Sequence, residues 1–164
     1  ACMRCLDHTG YLNFRMRAMI VSFAAFNLWQ DWKYFSHHLA KKFLDYEPGI
    51  HYSQIQMQSA VTGINTVRIY NPVKNSIDLD PKGDFIKKWV SELESIPSEY
   101  IHEPWKMTKI EQEMYNFFIG KDYPYPIIDL ETSRKKASEE IWKIRKSSKS
   151  KINAKKILEK HVNK

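Results

Sequence analysis

Between residues 12 and 29 apolar side chains fall at nearly every position: Leu12, Phe14, Met16, Ala18, Met19, Ile20, Val21, Phe23, Ala24, Ala25, Phe26 and Leu28. A helix apolar on all faces belongs in a core. Burial of that kind predicts that truncating Phe23 to Ala costs roughly 3–5 kcal/mol. Ahead of it, residues 1–8 read as a short helix closed by Gly10 at the position that favours a left-handed residue. Behind it, Phe35, Leu39, Phe43 and Leu44 recur at helical spacing over 34–44. Residues 50–61 alternate Ile50, Tyr52, Ile55, Met57 and Val61 with Gln54, Gln56 and Gln58. That alternation is strand-like, but the Gln and Met content and the neighbouring elements favour a helix. Thr66 to Tyr70 reads as extended, with Asn71-Pro72 as a turn.

Asp80-Pro81 predicts the start of a helix, with Asp as N-cap and Pro at the first helical position. Phe85, Trp89, Val90 and Leu93 give it one apolar face. Residues 97–107 read as irregular. Thr108 and Glu111 form a capping box for a helix through Phe118, closed by Gly120. Tyr123-Pro-Tyr-Pro126 is a stiff connector. Asp129 or Thr132 starts a last helix with Ala137, Ile141, Trp142 and Ile144, which the serines between 147 and 150 break or fray. No internal repeat is visible. The expected fold class is all-α.

Composition supports that class. With 43% hydrophobic residues over 164 positions the chain can bury a core, and only 5 Gly and 7 Pro argue against a turn-rich β fold. No apolar run is long enough to span a membrane. No secretory signal is visible, so the expectation is a cytoplasmic protein with no membrane partner. The chain opens on Ala1 with the apolar pattern already running, which reads as a protein whose N-terminal part is not included. The net charge of +7 is unevenly spread. Residues 133–164 hold 12 Lys and Arg against 3 Asp and Glu, a local +9, so the preceding residues are slightly acidic. A basic end of this kind reads either as solvated helix or as a phosphate-binding surface.

Few residues carry chemistry by spacing alone. Cys2 and Cys5 lie three apart with no second pair, which reads as core packing; no metal site is expected. His37, His38 and His51 follow no ligand spacing, and no phosphate-binding glycine loop is present. Arg15 and Arg17 point to different faces of an apolar helix, where a buried Arg needs a carboxylate or phosphate. Asp45 and Glu47 follow an apolar helix and precede Pro48-Gly49. Carboxylates at a helix C-terminus oppose its dipole, so they call for a cation or a hydrogen-bond donor. Arg15, Arg17 or a ligand ring bearing N–H groups could supply it, and an exposed loop pair is the plain alternative. Trp29, Trp32, Tyr34 and Tyr52 read as core or core edge.

Several stretches taken in order resemble the FAD-binding domain of the cryptochrome and DNA photolyase family, in its C-terminal part. They are Ala1-Cys-Met-Arg4, Thr9-Gly-Tyr-Leu-Asn-Phe-Arg-Met-Arg17, Asp31-Trp32, Leu44-Asp-Tyr-Glu47, Arg68-Ile-Tyr-Asn-Pro72, Asp80-Pro-Lys-Gly-Asp-Phe-Ile86, His102-Glu-Pro-Trp105 and Tyr123-Pro-Tyr-Pro-Ile-Ile128. The resemblance covers about residues 1–145 and leaves out the Ser/Lys-rich end. It implies a helical FAD-binding portion over 1–146 and a basic tail over 147–164. It also implies FAD as cofactor, with Arg17 pairing Asp45 beside the flavin, Glu47 accepting from the ring edge, Tyr46 between them and His51 near the ring. Phe14, Arg15 and Asn75 correspond to DNA-facing positions, and Trp32 to a Trp of the electron-transfer chain.

The implied activity is that of a deoxyribodipyrimidine photolyase-like lyase, passing an electron from light-excited reduced flavin to damaged DNA. Departures from the family pattern stand at Phe14, where it has Asn, at Ala18, where it has Met, and at Ile55, where it has the Trp closest to the flavin. Glu47 replaces a shorter Asp. These fit a divergent bacterial branch. The family's antenna domain and the earlier half of its helical domain have no counterpart here, so flavin binding should be weak unless a second chain or that missing half completes the pocket. A flavin light sensor without catalysis, and a helical fragment that binds no flavin, are the alternatives.

Overall fold

The computed structural model describes residues 1–62 and 65–161. Among them all regular structure is helical apart from one isolated bridge between Ile119 and Tyr123. Helix α1 spans Cys2–Thr9 and ends on Gly10 at φ 68°, as its sequence predicts. Gly10 must lack a Cβ for a second reason. The Leu44 side chain sits where that atom would be, and Leu44 N–H donates to the Gly10 carbonyl at 3.0 Å. Helix α2, Phe14–Ser22, starts at Asn13, whose side chain accepts from Met16 N–H. It passes into a π-helical turn over Phe23–Asn27.

Helix α3, Trp32–Ala40, is capped by Asp31. Helix α4, Pro48–Gln58, confirms helix over strand for the alternating segment. Helix α5, Pro72–Leu79, corrects one expectation: Asn71-Pro72 is a helix start, not a turn, with the Asn71 side chain accepting from Lys74 N–H and Pro72 in the first turn. A second correction concerns Asp80. It closes α5, and Pro81 lies in the turn before α6, Asp84–Trp89. Asp80 still serves α6, since its carboxylate accepts from Phe85 and Ile86 N–H at 3.1–3.2 Å across that turn. Two short 3-10 turns, Ser91–Leu93 and Pro104–Lys106, occupy the region that follows.

Helix α7, Lys109–Met114, has the predicted capping box but stops four residues before Phe118, because Asn116 turns left-handed at φ 48° ahead of Gly120. Helix α8, Leu130–Lys146, is capped by Asp129 rather than Thr132. The helix breaks at Ser147, which turns extended, and resumes as α9, Ser148–His161.

Two apolar clusters hold these elements. Leu6, Leu12, Val21, Phe35, Leu39, Phe43 and Ile55 join α1 to α4, with Phe85 and Trp89 of α6 packed at the margin. Val90, Leu93, Ile96, Ile101, Met107, Phe117 and Ile119 form the second cluster within the irregular stretch. Each such fully buried side chain contributes about 1.5–3 kcal/mol of burial. The 12–29 segment is less buried than its composition implies. Ala18, Val21 and Phe26 are buried, Phe23 is half-buried, and Phe14 and Trp29 are exposed at 61% and 55%. Helix α8 packs on the π-helical turn, with Ala137 fully buried and Asn27 Nδ2 donating to Ser133 Oγ at 2.9 Å.

Candidate functional site

Arg17 stands one turn into α2, and its position follows from three contacts. Its Nε donates to the Leu12 carbonyl at 2.7 Å. A terminal nitrogen donates to both oxygens of Asp45, at 2.8 and 3.0 Å. The guanidinium lies over the Phe43 ring at 4.1 Å from its centroid. Asp45 is carried by the turn after α3, and the Gly10–Leu44 contact fixes that turn against α1. The Arg17 hydrogen bond holds the Asp45 carboxyl below its ordinary value, with burial opposing it weakly. The pair is half-exposed, the side chains being 27% and 52% accessible, so Arg17 is not the deeply buried cation its apolar neighbours imply.

Glu47 lies at a different kind of helix end from the one expected. It is the N-cap of α4, not a residue at the C-terminus of the preceding helix, and its Oε2 accepts from Ile50 N–H at 2.7 Å. Here the helix dipole favours the carboxylate. A carboxylate has about four acceptor sites, so one cap bond leaves capacity for another donor.

Arg17, Asp45, Tyr46, Glu47 and His51 all line one cavity of about 220 Å³ between α2 and α4. Its apolar walls come from Ala18, Ile20, Val21, Leu39 and Ile55, and Phe14 stands at its rim. His51 is fixed by its Nε2, which donates to the Ser36 carbonyl at 2.9 Å, and by edge-on contact with Phe43 and Tyr46. Gln54 also lines the cavity, and its Oε1 is buried with no protein partner. A buried acceptor left without a donor is costly, so a ligand N–H at this place is favoured. Sequence reasoning missed Gln54, because an orphaned acceptor is a property of packing. The cavity is smaller than the roughly 300–1,000 Å³ usual for a whole ligand site.

The other predicted residues lie apart from this cluster in different ways. Arg15 is exposed on the first turn of α2. Asn75 lies on α5 with its Nδ2 buried and unpartnered. Trp32 opens α3 and packs at the margin of the first core cluster. Cys5 is core, and Cys2 is half-buried with burial pushing its thiol up. Among the described residues no three His, Cys, Asp or Glu side chains are placed to hold a metal, and no helix is long and apolar enough to cross a membrane.

An apolar slot with carboxylate acceptors, one cation and a buried orphan acceptor suits a planar ring bearing N–H groups. The family described as the FAD binding domain of DNA photolyase matches residues 1–143. The chain belongs to the photolyase and cryptochrome family. A deoxyribodipyrimidine photo-lyase of Alkalihalophilus pseudofirmus is 37% identical over 138 residues, covering 82% of this chain and 29% of that protein. A cryptochrome DASH of Gloeobacter violaceus is 32% identical over 129 residues, covering 78% of this chain and 26% of that one. Among solved structures, a bacterial class III photolyase from Agrobacterium tumefaciens superposes with a TM-score of 0.79 at 27% identity, over 88% of this chain and 30% of that chain. This photolyase-type helical domain therefore spans less than a third of the length of the relatives it matches.

Proposed function

We propose that the cavity between α2 and α4 receives the flavin ring of FAD, and that the protein uses it for light-driven electron transfer to damaged DNA, as a photolyase-like lyase. The observation that carries this reading is the Arg17–Asp45 pair beside an apolar slot that also holds the partnerless Gln54 Oε1. When bound, FAD supplies the light absorption and the one-electron chemistry. The chain supplies the rest. Asp45 orients Arg17, whose cation stabilises negative charge developing on a neighbouring ring. Glu47 caps α4 and keeps acceptor capacity toward ring N–H groups. Gln54 offers a second acceptor, and Ala18, Val21 and Ile55 exclude water from one ring face.

The small cavity fits the ring rather than the whole dinucleotide, so the remainder of FAD would rest on residues beyond this cluster. DNA would approach at Phe14 and Arg15, which are exposed at the rim, and through the basic residues of α8 and α9. Asn75 would serve as a further DNA-side position, and Trp32 as a link in electron supply. A second reading, a light sensor without repair, is favoured by the cryptochromes among the relatives and by Ile55, a redox-inert side chain on the cavity wall. A light-dependent repair assay on DNA carrying pyrimidine dimers separates the two. Restoration of intact thymines only under illumination supports the lyase, and flavin photochemistry without repair supports the sensor.

A further inference from the structure

We propose that the outward face of α8 is a stacking platform for single-stranded nucleic acid, centred on Trp142. This rests on the reading of α8 as a DNA-side surface, and narrows it to one stripe of the helix and one kind of strand. The inner face of α8 is fixed at three points. Ala137 is fully buried, Ser133 Oγ accepts from Asn27 Nδ2 at 2.9 Å, and the Arg145 guanidinium donates to the Asn65 carbonyl at 2.6 Å. Trp142 lies five residues from Ala137 and nine from Ser133, spacings that turn it away from the fold. It is 53% exposed, whereas Trp32, Trp89 and Trp105 pack against the two apolar clusters. Among the described residues no ring and no cation rests on its indole, so the π-face is free.

Lys135 stands seven residues before Trp142 and Lys146 four after it, so the three share one stripe about 16 Å long. Both lysines are exposed, and among the described residues neither is in an ion pair, while Lys143 beside them is held by Glu140 at 2.6 Å. Glu131 and Glu139 lie on the same stripe and oppose an anion there, so the surface is selective rather than strongly attractive. A single strand complements this pattern in both its parts. Its unpaired bases have open π-faces that stack on an aromatic side chain whatever their sequence, and its phosphates meet the lysines. In a duplex every base is already stacked between neighbours, so Trp142 could reach a base face only at the cost of unstacking it. Duplex DNA would therefore gain the lysines and not the indole. Because packing pins the inner face of α8, the indole and the two ammonium groups are presented together on a rigid element.

The test titrates labelled oligo(dT), oligo(U) and a duplex of matching length with the chain, by fluorescence anisotropy at low and moderate salt. It is run in the dark without FAD, which keeps its outcome separate from the flavin reading. The chain should bind the single strands more tightly than the duplex, and a preference between the two oligonucleotides identifies the sugar it takes. Trp142→Ala should bind single strands at least about fivefold more weakly, the lower end of what one stacked base contributes. Its helical content and its duplex affinity should match the parent, and Trp142→Phe, which keeps an aromatic face, should recover most of the loss. Lys135→Gln with Lys146→Gln should flatten the single-strand salt slope by up to about 1.4, at roughly 0.7 for each phosphate. A Trp142→Ala variant that binds single strands as tightly as the parent overturns the proposal and leaves the lysines of α8 and α9 as a phosphate surface only. Loss of self-association in that variant at unchanged nucleic-acid affinity, read by sedimentation velocity, also overturns it, since the face would then belong to a second copy of the chain.

Discussion

At the scale of single residues the site is a set of paired charges at a half-open surface. Because Arg17 and Asp45 remain partly accessible, their bond contributes about 1 kcal/mol or less to the fold. Asp45→Asn should therefore lower thermal stability little while weakening flavin uptake strongly, which differential scanning fluorimetry and a flavin titration measure together. Glu47 has two roles that substitution can separate. Glu47→Ala removes the cap of α4 and should cost about 1 kcal/mol in urea unfolding, whereas Glu47→Asp keeps a good N-cap and should cost less. Elsewhere, Arg4 grips Glu92 through two bonds of 2.6 and 2.7 Å and holds its carboxyl down to about 2, from 4.5. In that interval the unfolded chain binds the extra proton, so the stability this pair contributes is complete above pH 4.5 and is lost as pH falls toward about 2. Glu92→Gln should flatten the acid limb of the urea midpoint plotted against pH.

That Asp45 calls for a cation was legible in the sequence, because a carboxylate after an apolar helix demands a partner, but spacing left Arg15 and Arg17 both open and only the family resemblance singled out Arg17. The role of Glu47 was not legible. Its reading as a C-terminal carboxylate overlooked that Pro48 suits the first turn of a new helix, which makes the residue before it a cap.

At the scale of elements, the same rule accounts for one of two misread boundaries and fails at the other. Asn71-Pro72 and Asp80-Pro81 have equal claims as helix starts by local chemistry, yet only the first is one. The second is displaced because Gly83 takes the left-handed conformation at φ 73°, in a space closed by Ile101, and the helix begins after it. Composition also overstated the burial of α2 and its π-helical extension. Phe26 is buried and Phe23 is half-buried, a difference that pattern cannot show when every face is apolar. Phe26→Ala should cost roughly 3–5 kcal/mol, and Phe23→Ala clearly less, as read from the two midpoints of urea unfolding. Equal costs would contradict the burial described. Most other helices were legible, since caps at Asn13, Asp31, Thr108 and Asp129 lie where Ser, Thr, Asp or Asn precede apolar spacing, whereas α5 was read as a turn.

At the scale of the whole molecule, the basic end is not a loose appendage. Ala137 is buried, and the Arg145 guanidinium donates to the Asn65 carbonyl at 2.6 Å, so α8 belongs to the fold. Residues 147–164 carry six Lys against one Glu and lie past the break. A chain ending at Lys146 should keep its helical fold and bind duplex DNA more weakly. Its slope of log affinity on log salt should flatten by up to about five, at roughly 0.9 for each phosphate no longer neutralised. Fluorescence anisotropy at two salt concentrations measures this, and an unchanged slope would make α9 a solvated helix only.

The central claim is that the slot between α2 and α4 holds a flavin ring. The most direct measurement is the absorption spectrum of the chain after incubation with FAD and removal of free flavin on a desalting column. The chain should retain flavin with an altered band shape, and Asp45→Ala should retain far less at similar helical content. A chain that emerges colourless, or an Asp45→Ala variant that keeps flavin as well as the parent, would contradict the account.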